Sequence, residues 1–424
     1  MRRTILTLLA ITLLICGCSG KSKELDVPAA SAGLPMPEGL AWWSRAAIDA
    51  YMRYSAWRGS QSGYIALFAR DGVPVYGGVA GWKDIASSEP MTMNTPVRIS
   101  SMTKPITAVA AMILVQEGKL DLDDPVADYL PEFAELRVAT SETPKADGSF
   151  ASKPVATVLR VRHLLMFSSG IGPGLDKDSA LVNHWDRQGI YELPRGDLGE
   201  RVTALAQLPL LEEPGERWRY GFSLDVLARI IEVVSGASIS EFLQVHILQP
   251  LGMKNTHYTA HFVESAALAT VYTQDEHGEL IVAPMTYDAR DWTPGGGALI
   301  STASDYLRFA LMLWNGGEYQ GVRILSRETV DNMRRLHVPE GVLQDADIKG
   351  LGWGLGMAVV ADAKATLTAD RNGDFWWSGH LGALFFVSPE TGLVGVILSQ
   401  NEPGEFSGLP IQVFIMQALA FAGL

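Results

Sequence analysis

The chain has 424 residues, of which 47% are hydrophobic and 19% charged, a composition typical of a globular protein with a large buried core. Its formal net charge of −13 argues against nucleic-acid binding, because phosphate recognition needs clustered lysine and arginine. The length fits one large domain or two domains that share a core. Beyond the N-terminal segment, no apolar run reaches the roughly 18 residues that a membrane-spanning helix needs.

The N-terminal segment is typical of a bacterial export signal. Arg2-Arg3 precede an apolar run from Ile5 to Ile15, and Ile15-Cys16-Gly17-Cys18 resembles a lipobox, in which cleavage before the cysteine exposes a thiol for lipidation. We therefore predict a lipoprotein-type signal peptide at 1–17 and lipidation of Cys18. The protein would then be exported and lipid-anchored to a bacterial membrane, facing the periplasm or the cell exterior. The alternative is an ordinary secretory signal that happens to contain cysteines.

Cysteine usage is consistent with a lipid anchor. Cys16 and Cys18 are the only cysteines, so a chain that begins at Cys18 has a single thiol and no possible disulfide. Residues 18–40 are rich in Ser, Ala, Gly, Pro and Lys, which predicts a flexible tether. The domain itself is then expected at 41–424.

The first predicted elements of the domain are a β-hairpin and a buried helix. Two short apolar runs, 63–69 and 73–79, flank Asp71-Gly72, a dipeptide that favours a hairpin turn. Residues 97–99 form another short strand pattern. From Ser101 onward the chain is apolar nearly all round at helical spacing, and Gly118 ends that pattern.

Residues from about 120 to 290 alternate helical patterns with loops rich in proline and glycine. Helices are predicted at 224–234, 239–248, 303–314, 327–336 and 410–421, and strands at 353–360, 384–387 and 393–399. Strands at both ends with helices between them predict a mixed α+β fold. In that fold one antiparallel sheet is built from both chain ends, flanked by helices, and carries the mostly helical region of about 120–290 as an insertion.

Ser101 and Lys104 are the first candidate catalytic residues. Three positions apart at the start of a helix, they share one face, so an amine can lie beside a hydroxyl. That pairing is the minimum for an activated serine nucleophile, and the helix N-terminus favours a developing oxyanion. Taken alone, the two residues fit equally well a helix-capping serine with a surface lysine.

Several further segments, in the order in which they occur, favour the catalytic interpretation over the helix-capping one. They are Ser101-Met102-Thr103-Lys104-Pro105, Asp121 to Val126 with Tyr129-Leu130-Pro131, Val161 to Leu165 with Ser168-Ser169-Gly170, Pro250 to Met253, and Gly295 to Ala298 with Asp305-Tyr306. With these segments in this order, the chain resembles the serine β-lactamase and penicillin-binding protein superfamily over about residues 45–420. The resemblance is strongest to class C β-lactamases and family VIII carboxylesterases. The resemblance implies the β-lactamase/transpeptidase-like fold, with Ser101 as nucleophile and Lys104 as its partner.

The resemblance also identifies a third catalytic residue. The family's second motif is Tyr-x-Asn, and Arg219-Tyr220-Gly221-Phe222 lies at the matching place before the 224–234 helix. Tyr220 is therefore the implied general base, acting with Lys104. Phe222 replaces the asparagine that helps β-lactamases bind the substrate amide, a departure that favours esters over β-lactams.

The family's third motif, Lys-Thr-Gly on a strand edge, is altered as well. Two registers are open: Trp377-Ser378-Gly379 resembles the Trp-Gly-Gly form of family VIII esterases, and His380-Leu381-Gly382 resembles the His-x-Gly form of peptidase-like relatives. Spacing to Ser388-Pro389 favours the first, in which the His380 N–H joins that of Ser101 in the oxyanion hole. Neither register supplies a lysine to hold a β-lactam carboxylate.

The resulting hypothesis is a serine esterase with Ser101, Lys104 and Tyr220 as catalytic residues and small-molecule esters of short acyl chains as substrates. Substrate or oxyanion contacts are assigned to Phe222, Trp377, Ser378, Gly379, His380 and Gly382, and no metal, organic cofactor or nucleic acid is expected. One rival is a β-lactamase or D-amino-acid peptidase acting on cell-wall peptides. The other is a non-catalytic, membrane-tethered binding protein.

Overall fold

The computed structural model describes residues 29–31, 39–172, 181, 183, 197–259, 267–284, 293–338, 349–366, 370–402 and 411–424. The predicted signal peptide and Cys18 lie outside the described residues. Among the residues described, no helix is both long and apolar enough to cross a membrane.

The described α-helices are α1 (Trp42–Trp57), α2 (Thr103–Gln116), α3 (Val161–Leu165), α4 (Leu198–Ala206), α5 (Ser223–Ser235), α6 (Ile239–Leu243), α7 (Ala303–Trp314), α8 (Arg327–Met333) and α9 (Ile411–Ala422). The strands are β1 (Ala29–Ser31), β2 (Gly63–Arg70), β3 (Val73–Asp84), β4 (Glu89–Pro90), β5 (Val97–Arg98), β6 (Arg137–Ala139), β7 (Ser152–Pro154), β8 (His257–Tyr258), β9 (Tyr272–Gln274), β10 (Leu280–Val282), β11 (Leu299–Ser301), β12 (Glu318–Tyr319), β13 (Val322–Arg323), β14 (Leu351–Trp353), β15 (Ala358–Val360), β16 (Phe375–Gly379), β17 (Ala383–Val387) and β18 (Leu393–Leu398).

One large antiparallel sheet organises the molecule. Its strands run in the order β1-β3-β2-β18-β17-β16-β15-β14, and β4 adds to β3. The central pair joins β2 from the first part of the chain to β18 from the last, with Leu67 opposite Val396. The prediction of a mixed α+β fold whose sheet comes from both chain ends is confirmed.

Helices cover both faces of this sheet. Phe385 and Phe386 are consecutive on β17, so their side chains point to opposite faces. Phe385 packs against Tyr306 of α7 with ring centroids 5.2 Å apart, whereas Phe386 packs against Phe421 of α9 at 5.5 Å. The sheet therefore separates a layer containing α7 from a layer containing α9 and α1, which pack against each other.

The inserted region carries α3, α4, α5 and α6. α2 packs against α5, and α5 in turn packs against α3, α4 and α6. Short strands interrupt the predicted helical pattern, and β8 pairs with β11 beside β5 in a small separate sheet. Gly236 ends α5 with φ of 73°, as a left-handed cap requires.

Three features differ from the expectations. Within the predicted tether, Ala29–Ser31 pair with Ala80, Val79 and Gly78 of β3, because an edge strand offers unpaired backbone groups to any extended segment. The single strand expected at 353–360 is instead the β14–β15 hairpin, whose turn contains Gly356 with φ of 89°. Helix α1 was not expected at all.

A buried carboxyl group lies just before β16. Burial raises the pKa of Asp374 to about 7, and the charge of Asp370 acts in the same direction. A carboxyl group with a higher pKa in the folded than in the unfolded chain binds more protons when folded. Its contribution to the free energy of unfolding is therefore lost progressively as pH rises from about 4 to about 7.

We predict that Asp374→Asn flattens this pH dependence. The wild-type protein should lose up to about 4 kcal/mol of unfolding free energy between pH 4 and 8 through this group, as three pKa units imply. Urea denaturation at a series of pH values measures the effect. Asp128→Asn, at an exposed position, is the matched control, and equal slopes for Asp374→Asn and wild type would contradict the assignment.

Candidate active site

The predicted nucleophile lies in a strained turn at the start of α2. Ser100–Met102 form one 3₁₀ turn that leads directly into the helix at Thr103. Ser100 has φ of 46°, in the left-handed region that non-glycine residues rarely adopt. Such strain persists only where surrounding contacts fix the backbone.

Hydrogen bonds from the second half of the chain hold this turn. The Tyr306 hydroxyl donates to the carbonyl of Met102 at 2.7 Å, and the Ile99 N–H donates to the carbonyl of Leu299 at 3.0 Å. One turn further along, the Thr107 hydroxyl donates to the carbonyl of Gly295 at 2.7 Å. The position of Ser101 is thus fixed by contacts that are almost 200 residues away in sequence.

The three predicted catalytic residues converge on one oxygen atom. Lys104 Nζ donates to Ser101 Oγ at 3.1 Å, and the Tyr220 hydroxyl donates to the same Oγ at 2.6 Å. Lys104 Nζ also lies over the Tyr220 ring, 4.8 Å from its centroid. Either partner, when unprotonated, can accept the proton of Ser101, which is the geometry that general-base activation of a serine requires.

Lys104 is buried, with 5% of its surface exposed, so its amine needs polar partners inside the protein. Besides Ser101, Nζ donates to the carbonyl of Gly296 at 2.6 Å. The N–H of Gly296 donates in turn to Asp225 Oδ1 at 3.0 Å. The backbone of Gly296 therefore connects the buried carboxyl group of Asp225 to the amine of Lys104.

Asp225 supplies a buried carboxyl group beside this arrangement. It lies in the first turn of α5, five residues after Tyr220, with 4% of its surface exposed. Burial raises the pKa of Asp225, while the charge of Lys104 and the Gly296 N–H act against that rise. The neighbouring Gly295 approaches α5 so closely that any side chain there would overlap the carbonyl oxygen of Leu224, which explains a glycine at this place.

Aromatic side chains fix the Tyr220 ring. The centroid of the Tyr220 ring lies 5.3 Å from the ring centroid of Phe167, 6.1 Å from that of Trp218 and 5.6 Å from that of Trp377. Trp353 meets Trp377 edge-on at 4.7 Å. We call Phe167, Trp218, Trp353 and Trp377 the aromatic wall; all four are buried, so Tyr220 has little rotational freedom.

The structure distinguishes the two registers of the third motif. Trp377, Ser378 and Gly379 belong to β16, whereas His380, Leu381 and Gly382 form the turn between β16 and β17. A side chain on Gly379 would overlap the carbonyl oxygen of Ile99, so the end of β16 runs directly beside the Ser101 turn. This geometry supports the Trp377-Ser378-Gly379 register for the strand-edge motif.

The other residues predicted to contact substrate lie on the opposite sheet face, in a turn or in the core. Ser378 alternates with Trp377 and shares the sheet face of Trp376, which packs against Phe414 of α9. Gly382, with φ of 85°, completes the turn through its N–H to the carbonyl of Gly379. Phe222 is buried in the main hydrophobic core at the start of α5, 7% exposed.

Sequence reasoning missed Asp225, Gly296, Phe167 and Trp218. Asp225 had a detectable signal, because a carboxylate interrupts the otherwise apolar run Leu224-Asp225-Val226-Leu227 at the start of the helix predicted at 224–234. Phe167 and Trp218 carried none, since most buried aromatic residues simply fill cores. Within the described residues, no cluster of three or more His, Cys, Asp or Glu could hold a metal ion.

Comparisons with known proteins relate the chain and its fold to a known family. The family model described as Beta-lactamase matches residues 45–419. Esterase EstB from Burkholderia gladioli is 31% identical over 84% of this chain and 90% of its own length. The structure of EstCE1, a hydrolase with promiscuous acyltransferase activity, is 28% identical with a TM-score of 0.74, covering 89% of this chain and 99% of its own. That of an octameric penicillin-binding protein homologue from Pyrococcus abyssi is 25% identical with a TM-score of 0.67, covering 89% and 77%.

We predict that Asp225→Asn lowers the rate of ester hydrolysis about 100-fold. The asparagine amide has no negative charge to balance a protonated Lys104, and it accepts a weaker hydrogen bond from the Gly296 N–H than a carboxylate does. The carbonyl that holds Lys104 is then less firmly placed, and a misplacement of about 1 Å at a reacting group has a cost of this size. Steady-state kcat/KM measures the effect. The matched control is Asp305→Asn, which removes another buried carboxylate that is not joined to Lys104. This control should leave the rate within a few-fold of wild type. Similar losses in both variants would contradict the prediction.

Proposed function

Since this chain belongs to the Beta-lactamase family, we propose that it is a serine hydrolase that cleaves carboxylic esters through an acyl-enzyme on Ser101. The observation that carries the proposal is the convergence of Lys104 Nζ and the Tyr220 hydroxyl on Ser101 Oγ. The names of two relatives support the substrate class: Esterase EstB, and the Lovastatin esterase of Penicillium rubens, which is 27% identical over 76% of this chain.

In the proposed acylation step, Ser101 Oγ attacks the ester carbonyl, and its proton passes to Tyr220 or Lys104. The tetrahedral oxyanion is stabilised by the N–H groups of Ser101 and His380, which lie at a helix start and at the turn after β16. Collapse breaks the bond to the leaving alcohol, which takes the proton back. Water then repeats the sequence on the acyl-enzyme, releasing the acid and restoring Ser101.

Contacts around the site favour esters over β-lactams. Trp377 stands where the Lys-Thr-Gly motif of β-lactamases has its lysine, so no cation is available there for a β-lactam carboxylate. Phe222 is buried in the core and has no amide with which to bind a substrate amide. We propose short acyl chains because the aromatic wall beside Tyr220 packs ring against ring.

We also propose that the enzyme is exported and held to a bacterial membrane by a lipid on Cys18. The support is the order of the N-terminal segment: two arginines, an apolar run, then Gly17 and Cys18. A soluble domain on a lipid anchor would act on substrates outside the cytoplasm.

Ser101→Ala tests the nucleophile directly. We predict that a fluorophosphonate probe labels the wild-type protein but not Ser101→Ala, and that hydrolysis of p-nitrophenyl butyrate falls about 10³-fold or more. Tyr220→Phe should also lower the rate while leaving the fold intact. Ser223→Ala, which removes a nearby buried hydroxyl bonded to Ser169, should keep its labelling, and persistent labelling of Ser101→Ala would place the nucleophile elsewhere.

The substrate class has a separate test. We predict hydrolysis of p-nitrophenyl acetate and butyrate, declining toward the octanoate, with much slower turnover of the β-lactam nitrocefin because Trp377 provides no charge for its carboxylate. Steady-state kinetics on the four substrates measures the order. Strong nitrocefin turnover without ester turnover would overturn the ester assignment in favour of a β-lactamase, while leaving Ser101 as nucleophile.

A further inference from the structure

Helix α1 has an outward face that is unusual for a surface helix. Its buried residues, Ser44, Ile48, Met52 and Ser55, lie on one side. The opposite side is formed by Trp42, Trp43, Ala46, Ala50, Arg53 and Trp57, all exposed, which we call the tryptophan face. Outward helix faces are normally polar, but this one carries three tryptophans and no acidic residue.

The tryptophans are exposed to a degree that core packing does not explain. Trp42 is 74% exposed, Trp43 41% and Trp57 37%. A contiguous apolar patch on a surface marks an interaction site more often than chance exposure does. Tryptophan is enriched where one end of a side chain meets an apolar phase and the other meets water, as at a membrane interface.

Charge on α1 opposes the charge of the protein as a whole. The chain has a net charge of −13, yet the helix and its cap contain Arg45, Arg53 and Arg58 against the single acid Asp49. Asp49 is partly buried and accepts a hydrogen bond from the Tyr76 hydroxyl at 2.6 Å. The local excess of guanidinium groups favours an anionic surface, such as one rich in phosphatidylglycerol.

The position of α1 brings this face close to the proposed anchor. The helix packs against β3, and β1 pairs with the same strand through Ala29–Ser31. About 11 residues separate Cys18 from Ala29, and an extended chain spans about 3.3–3.6 Å per residue, so a lipid on Cys18 lies within about 40 Å of this edge of the sheet. An anchor this short keeps the tryptophan face at a high effective concentration near the bilayer.

We propose that the tryptophan face of α1 docks onto the anionic surface of the bilayer that holds the Cys18 lipid. The proposal uses the lipid anchor put forward above but not the ester assignment. The helix is a firm platform, because the Ala41 N–H donates to the carbonyl of Gly423 at 2.8 Å and the Ser44 hydroxyl donates to that of Leu419 at 2.7 Å, joining α1 to α9.

Docking in this way orients the active site. α1 and α9 cover one face of the sheet, whereas Tyr306 of α7, on the other face, donates to Met102 beside Ser101. With α1 on the bilayer, the Ser101 turn is on the far side of the sheet from the lipid. Substrates would then arrive from the aqueous phase.

Single thiols on the face provide the test. After lipidation of Cys18 the mature chain has no free cysteine, so Ala46→Cys or Ala50→Cys gives one labelling position for an environment-sensitive NBD dye, and the exposed Glu142→Cys serves as control. The lipidated protein is reconstituted into vesicles of phosphatidylcholine with phosphatidylglycerol. We expect blue-shifted emission and quenching by doxyl lipids at both face positions but not at position 142.

Further variants separate the face from the anchor. Trp42→Gln/Trp43→Gln/Trp57→Gln should return the dye at position 46 to a water-like spectrum, and Arg53→Gln should weaken the response to phosphatidylglycerol. Because none of these residues belongs to the Ser101 site, ester turnover should not change. Mass spectrometry of the N-terminal peptide reports the lipid on Cys18 independently.

Each other outcome counts against the proposal. Water-like emission at positions 46 and 50 on anchored protein would overturn it. Shielding that rises with protein density and resists doxyl quenching would show that a second copy of the chain covers the face. If Cys18 carries no lipid, the anchor proposal is wrong, and docking of the tryptophan face is then measured by sedimentation with the same vesicles. Equal binding of wild type and the triple variant in that assay would overturn the docking proposal.

Discussion

The buried amine of Lys104 is the constraint on which the rest of the site depends. An amine removed from water must find polar partners inside the fold, and here they are a hydroxyl at Ser101, a carbonyl at Gly296 and, beyond it, the carboxylate of Asp225. Gly296 and Asp225 come from parts of the chain far from Lys104, so the fold must close before the amine has all of its polar partners. The same contacts that provide polar partners for the buried amine also place it beside the Ser101 oxygen. One set of hydrogen bonds therefore meets the needs of folding and of the proposed catalysis.

Rigidity around this arrangement comes from two different sources. Backbone strain at Ser100 is held by hydrogen bonds from distant segments, such as that from Tyr306, and these fix where the serine hydroxyl stands. The Tyr220 ring is held by packing within the aromatic wall, and its hydroxyl donates a hydrogen bond to Ser101 Oγ. A serine oxygen held between a fixed turn and a fixed ring would need little reorganisation during the proposed reaction, which is the condition under which electrostatic stabilisation is most effective.

The central sheet divides the molecule into two surfaces with different tasks. Alternation along β17 sends Phe385 toward the catalytic layer and Phe386 toward α9 and α1. The layer on the Ser101 side contributes glycines that allow backbones to approach closely, and aromatic residues that pack around Tyr220. The opposite layer contributes a helix whose outward tryptophans suit a lipid interface, so membrane attachment and catalysis would not compete for the same surface.

The sequence by itself predicted the sheet from both chain ends, because strand patterns, helical spacing, glycine caps and a hairpin dipeptide act over a few residues. The order of its motifs, which no short segment contains, marked Ser101, Lys104 and Tyr220 as candidate catalytic residues. Only the tertiary structure decided which register of the third motif lies on β16, that Asp225 reaches Lys104 through Gly296, and that α1 turns three tryptophans outward. Those outcomes depend on contacts between residues far apart in sequence and on which helix face the sheet buries, and neither is encoded in a short window of the chain.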